Sequence, residues 1–218
     1  MATYTIEKNA IDAIKNDPEY KRVIEVSCKR AREHERVMET NRFIEFYGSN
    51  HGNNDLYGMY FSNCVKAPIV VDGEPFASSE HYFQINKFMA DIETTRKFAM
   101  GLNISLDEQL RRNRDNIAAM HVMSPEEVAR HGRSCRMCPI RADWDTVRVN
   151  VMYRALAEKF KDGEFHKVLA DSYDKVLIER APRDDYWAIN NEGRGENMLG
   201  ILLMYIRELA HVPVSLSS

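Results

Sequence analysis

A chain of 218 residues with 44% hydrophobic and 29% charged residues has the usage of one globular core, which excludes a fibre or a disordered coil. The formal net charge of −3 excludes a generally basic nucleic-acid coat and leaves room for a local basic pocket. No apolar run approaches the length of a membrane helix, and the first residues lack the charged-then-apolar order of an export signal.

The four cysteines, Cys28, Cys64, Cys135 and Cys138, show no disulfide-framework spacing. Reduced thiols in a cytoplasmic or nuclear compartment are therefore expected. Without an export signal, the sequon Asn103-Ile104-Ser105 carries no weight.

Residues 3 to about 40 read as two charged helices broken at Asn16-Asp17-Pro18, an N-terminal helical extension spanning 1–40. Ile6, Ile11 and Ile14 are spaced like a buried stripe, and Arg22, Lys29, Arg30, Arg32, Glu33 and Glu35 make the second helix look solvent-facing. Phe43–Tyr47 then alternates like a short strand, followed by a loop over 48–54. In Tyr57-Gly58-Met59-Tyr60-Phe61-Ser62-Asn63, flat rings beside small residues suit a pocket wall and equally suit core and turn. Ala67–Phe76 reads as a strand, an Asp72-Gly73 turn and a short return strand, a small β-hairpin.

Ser78–Phe88 is the most informative stretch. Ser78 or Ser79 can cap its first turn. Helical spacing puts Tyr82, Ile85 and Met89 on one face and Glu80, Gln84, Lys87 and Asp91 on the other. By spacing alone the polar stripe is an ordinary solvated face. The alternative is a carboxylate and an amine, one heptad apart, pointing into one cleft.

Residues 91–123 look helical with a break at Gly101-Leu102-Asn103, and they carry the basic run Arg111-Arg112-Asn113-Arg114. Ser124-Pro125-Glu126-Glu127 starts a helix that ends near Gly132. Arg133, Arg136 and Arg141 are placed in a loop, where arginines suit a bidentate phosphate grip or simply scatter over the surface. His131, Cys135 and Cys138 make a three-ligand zinc set at most, and one Cys-x-x-Cys is weak evidence for it.

A long amphipathic helix runs from Trp144 to about Phe160, with Val147, Val151, Ala155 and Leu156 on its core side; Trp144 is either a core anchor or a stacking plate. A short helix to Leu169 and a strand over 175–179 follow. Arg183–Gly200 joins acids, aromatics and the glycines Gly193 and Gly195 directly ahead of a closing helix, Leu199 to about Ala210. Backbone N–H groups there suit an anion, although Gly-x-Gly alone is a common turn. The expected fold class is α+β, predominantly α-helical, a single domain over 41–212 with the small hairpin and the N-terminal extension.

One ordered set runs through the chain: Phe46-Tyr47, Tyr57-Gly58-x-x-Phe61-Ser62-Asn63, Pro68-Ile69-x-x-Asp72-Gly73, Ser79-Glu80-His81-Tyr82-Phe83-Gln84-x-x-Lys87-Phe88, Gly132-Arg133, Trp144, Asp184-x-Tyr186-Trp187, Gly193-x-Gly195-x-Asn197-x-Leu199-Gly200 and Leu203-Met204. This set resembles the NADAR family of N-glycosidases over roughly residues 43–210. The resemblance implies cleavage of N-glycosidic bonds in ribose-containing substrates. These are ADP-ribose on the amino group of guanine in DNA or RNA, placed there by a DarT-type transferase, or small riboflavin-pathway intermediates. A non-catalytic ADP-ribose-binding module is a further alternative. The chain departs from the family pattern at Ala188, where glycine is usual, in a longer 91–123 stretch, and in residues 1–40.

By resemblance, Glu80 and Asp184 are the acids beside an oxocarbenium-like state. Lys87 is either a Schiff-base nucleophile or a hydrogen-bond donor to phosphate or ribose. The implied ligand contacts are Tyr47, Phe61, Ser62, Asn63, Gln84, Arg133, Trp144, Tyr186, Trp187, Gly193, Gly195 and Asn197. No metal or cofactor is needed for this chemistry.

Overall fold

The structure, a computed structural model, describes residues 5–35, 40–48 and 57–211. Residues 1–4 and 36–39 of the expected extension, 49–54 of the expected loop and 212 of the expected domain lie outside them.

In chain order the elements are α1 (Lys8–Asn16), α2 (Pro18–Arg32), β1 (Phe43–Phe46), α3 (Gly58–Phe61), β2 (Ile69–Val71), β3 (Glu74–Phe76) and α4 (Ser79–Lys87). These are followed by α5 (Ile92–Gly101), α6 (Leu106–His121), α7 (Pro125–Ser134), α8 (Trp144–Lys159), α9 (Gly163–Ala170), β4 (Val176–Glu179) and α10 (Met198–His211). The fold is α+β and predominantly helical, as expected. Its described residues pack as two compact units, one built on residues 66–159 and one on those within 6–65 and 160–211.

In the first unit, β2 and β3 form the expected antiparallel hairpin. Asp72 (φ 53°) and Gly73 (φ 85°) are both left-handed, as a tight hairpin turn requires. Serine side-chain caps start α6 and α7. The Ser105 hydroxyl accepts from Glu108 N, and Ser124 and Glu127 form a full capping box.

α4 begins at Ser78, whose side chain accepts from His81 N. It packs on α8, α7, α6 and β3, and every residue from Ser79 to Ile85 is buried. The solvated-face expectation for Glu80 and Gln84 is thus overturned: neighbouring helices cover the polar stripe as well as the apolar one. The stripe is also shorter than expected. Phe88 caps the helix, Met89 is exposed, and Asp91 caps α5 by accepting from Thr94 N.

In the second unit β1 pairs in parallel with β4, Phe43 opposite Val176 and Phe46 opposite Glu179. All four β1 residues are buried, so the expected alternation is absent and Glu45 lies inside. Its carboxylate accepts from Ser27 Oγ (2.7 Å) and faces Arg180 Nη1 at 3.3 Å. α10 packs on β4, α1 and α9. Asp17 caps α2 through Tyr20 N (2.8 Å), with Pro18 in the first turn. Contrary to a purely solvent-facing helix, α2 buries Tyr20, Val23, Ser27 and Ala31 at helical spacing. The expected α1 stripe is shallower, since Ile6 is buried while Ile11 and Ile14 are half-buried.

Candidate active site

Gly132 lets α7 and α4 approach closely. A Cβ built there would lie 1.9 Å from Gln84 Oε1. Next to it, Gln84 (5% exposed) donates from Nε2 to Glu80 Oε1 at 2.8 Å, and Glu80 is only 4% exposed. Gln84 Oε1 is buried with no hydrogen-bond partner among the described residues. Buried acceptors are nearly always satisfied, so this one stands ready for a donor.

One turn on, half-buried Lys87 donates from Nζ to Gly132 O at 2.8 Å. Burial lowers the pKa of its amine; Glu80 opposes that shift, and Arg136 and Arg133 add to it. Glu80, Gln84 and Lys87 therefore form one cluster over Gly132. His81, beside them, is locked. Nε2 faces Met123 O at 3.0 Å, so it carries the proton, and Nδ1 takes the Ser78 hydroxyl at 2.8 Å. Burial lowers the His81 pKa.

The arginines divide. Arg133 sits exposed in the last turn of α7, not in the expected loop. Arg136 Nη1 donates to Arg133 O (3.0 Å) and Cys135 O (3.1 Å), capping the end of α7. Arg141 is held bidentately by Asp143, and Arg111 and Arg112 both pair with Glu108. The expected basic run is thus largely compensated within its own helix.

Among the described residues no group of three His, Cys, Asp or Glu side chains stands ready for a metal. His131 Nε2 and Cys135 Sγ instead meet Asn116 Oδ1, and Cys138 Sγ meets Arg112 O. Trp144 is 9% exposed, tilted on Phe83 at 4.8 Å, which is the place of a core anchor.

The remaining expected residues belong to the second unit. Phe61 has no exposed surface; it stacks on Tyr57 (5.6 Å) and sets an edge on Phe46 (5.5 Å), so the core alternative describes it. Ser62 is buried and accepts from Cys64 N, while Tyr47 and Asn63 are half-buried. Asp184 Oδ1 accepts from Tyr186 N (3.0 Å) and Trp187 N (2.7 Å), fixing the turn that presents those two rings edge to face.

Gly195 (φ 149°) passes against Ala188, whose carbonyl would lie 1.9 Å from an added Cβ. Asn197 is fully buried. Its amide donates to Leu177 O (2.9 Å) and accepts from Glu179 N (3.0 Å), which bolts the entry of α10 to β4. Sequence reasoning missed the contribution of α2 to this region, where Cys28 O and Arg32 lie against Gly193. The signal was the spacing of Tyr20, Val23, Ser27 and Ala31.

Residues 46–210 match the family model described as the NADAR domain. N-glycosidase YbiA of Escherichia coli K12 is 36% identical over 180 residues, covering 82% of this chain and 94% of that protein. An N-glycosidase of Nostoc punctiforme is 32% identical over 154 residues, covering 70% of this chain and 85% of its own. The maize riboflavin biosynthesis protein PYRR is 32% identical over 189 residues, which is 81% of this chain and 27% of that protein. The NMR structure of E. coli YbiA superposes with a TM-score of 0.58 at 30% identity, covering 80% of this chain and 89% of that one. The chain belongs to the NADAR domain family.

Proposed function

We propose that this chain is an N-glycosidase that removes ADP-ribose from the amino group of guanine in nucleic acid. The observation that carries the reading is the α4 cluster, where a buried carboxylate, Glu80, shares one helix face with an amine, Lys87, whose pKa is lowered by burial.

The ribose C1′ of such a substrate is bonded to both the ring oxygen and the guanine nitrogen, so ring opening gives an imine. Lys87 Nζ adds to C1′ of that imine. The C1′–N bond to guanine then breaks, guanine leaves with its amino group restored, and water hydrolyses the lysine imine to release the sugar as an aldehyde. Glu80 stabilises the cationic states and passes protons between water, amine and sugar. The unpartnered Gln84 Oε1 accepts from a substrate hydroxyl or amino group. Arg133 and Arg136, both of which act electrostatically on Lys87, suit a diphosphate. Arg111 and Arg112 are not part of this reading. Asp184 as second acid, and Tyr47, Asn63, Tyr186, Trp187 and Gly195 as ligand contacts, rest on the family resemblance. The reading implies a DarT-type transferase as the source of substrate and a cytoplasmic or nuclear location.

A second reading, cleavage of small ribosylamino intermediates of the riboflavin pathway, is favoured by the matches to the PYRR proteins of maize and Arabidopsis. The test incubates wild type, Glu80→Gln and Lys87→Ala with a guanine-ADP-ribosylated oligonucleotide and with ribosylamino pyrimidines, following products by mass spectrometry with and without borohydride. Release from the oligonucleotide by wild type only, with a trapped adduct at Lys87, is the expected result. Turnover of the pyrimidines alone would replace the first reading by the second. Tight ADP-ribose binding without turnover of either would make the chain a reader.

A further inference from the structure

The helices that precede the family match meet the segment 190–197 at three points within one unit, and a fourth contact lies beside it. The Tyr20 side chain of α2, 7% exposed, lies beside the Asn197 side chain, which opposes the upward shift that burial gives its phenol. A Cβ on Gly193 would lie 2.1 Å from Cys28 O and 3.0 Å from the Arg32 side chain, so α2 lies directly on that glycine. Lys15, at the end of α1, pairs with Glu196. The Ser27–Glu45–Arg180 cluster ties α2 to the strands from which the segment departs.

The segment has need of such support. Gly193 (φ 67°), Gly195 (φ 149°) and Asn197 (φ 51°) all adopt backbone conformations that L side chains rarely hold. Its internal bonds, Asn190 N to Arg194 O (2.8 Å), Gly193 N to Asn190 O (3.0 Å) and Glu192 N and Arg194 N to Asn190 Oδ1 (2.9 and 3.1 Å), close the tip. Bonds from Glu196 N to Asp185 O and between Asn197 and β4 hold its far end, which leaves the face at Gly193 to be fixed from outside. A loop with three left-handed residues has many alternative conformers unless its flanks are fixed from outside.

We infer that α1 and α2 are a brace that sets the conformation of the 190–197 loop, with Tyr20 and Lys15 as positioning residues for ligand binding by that loop. The ligand-binding half of this inference rests on the proposed glycosidase reading; the brace does not. It makes the N-terminal helices a working part of the family domain in this chain and gives it a loop setting that a chain lacking them would not share.

The test uses full-length wild type, Tyr20→Phe, Lys15→Glu and Lys15→Arg. Hydrogen–deuterium exchange is read on peptides covering 190–197 and, as a reference, α4. Steady-state kinetics use the substrate that wild type cleaves. Tyr20→Phe keeps the ring packing and removes only the hydroxyl, so exchange over 190–197 should rise about five-fold with α4 unchanged. KM should rise several-fold at nearly constant kcat. Lys15→Glu should act in the same direction, and Lys15→Arg should restore wild-type values. Unchanged exchange over 190–197 in both Tyr20→Phe and Lys15→Glu would overturn the brace. Faster exchange with unchanged KM would overturn the ligand-positioning role. If wild type turned over none of the substrates, the glycosidase reading would fail in the wild-type reaction itself, and the exchange data would still decide the brace.

Discussion

Replacing Gly132 by alanine is predicted to uncouple Glu80 from Gln84. The new Cβ would sit 1.9 Å from Gln84 Oε1 and 2.4 Å from its Cδ, so the amide must swing aside and the 2.8 Å bond to Glu80 breaks. A hydrogen bond to a charged group is worth ~1.5–3 kcal/mol. Alanine in place of glycine within a helix returns about 1 kcal/mol. The net loss in stability is therefore roughly 0.5–2 kcal/mol by urea denaturation. Activity should fall further, on the order of 100-fold, because a displacement of about 1 Å in a reacting group costs that much. The control is Gln84→Ala, which removes all three atoms nearest the new Cβ. In that background Gly132→Ala should be neutral or stabilising, giving a coupling of about 1 kcal/mol or more between the two positions. An additive cycle would refute the reasoning, since it would mean that the glycine is not there to seat Gln84.

Other outcomes follow from the same geometry. Lys87 has a lowered pKa, so in competitive amine labelling it should react at lower pH than the exposed lysines. Glu80→Gln should move its midpoint down further, and the double variant Arg133→Gln/Arg136→Gln should move it up. Between that midpoint and the ordinary lysine value of 10.5 the unfolded chain binds more protons, so stability should rise with pH in this window; Lys87→Met should abolish that slope. Glu45→Gln should cost about 3 kcal/mol in urea unfolding, because it strands the buried Arg180 guanidinium. Asn197→Ala should cost roughly 2–4 kcal/mol by the same measurement, since Leu177 O and Glu179 N both lose a buried partner and alanine is strained at φ 51°.

Local chemistry explains which parts of the fold were legible in the sequence. Ser78 and Ser124 marked their helices because a cap is a contact within four residues, and Asp72-Gly73 marked its hairpin because the turn needs two left-handed residues. The pairing of β1 with β4 was not legible: no local signal records which distant strand a parallel strand joins. Burial of Glu45 and of the polar face of α4 was hidden for the same reason. Periodicity reports that a face is polar, and only tertiary packing reports whether water reaches it. Arg111 was read as part of a basic patch, yet Glu108 and Asp115, three and four residues away, were available to neutralise it. Glu80 and Lys87 were recognised through the family motif, whereas the seat provided by Gly132 needed the structure.

A cluster this polar in the middle of a packed unit is a poor solution for stability, and that supports a functional origin. Glu80 is taken almost wholly out of water, and Gln84 spends one amide end on it while the other finds no partner among the described residues. A desolvated carboxylate costs several kcal/mol before its partners offset it, and an unsatisfied buried acceptor about 1–3 more. Residues of similar length without charge should therefore improve the fold. Glu80→Met/Gln84→Met keeps the volume on α4, removes both burdens together and leaves Lys87 bonded to Gly132 O. It should unfold at higher urea, with a gain of about 1–4 kcal/mol, while turnover is lost. Neither single replacement should do this, because Glu80→Met leaves Gln84 without its acceptor and Gln84→Met leaves the carboxylate short of a donor. A double variant less stable than wild type would mean that the pair is retained for the fold, and Glu80 would lose its claim to catalysis on energetic grounds.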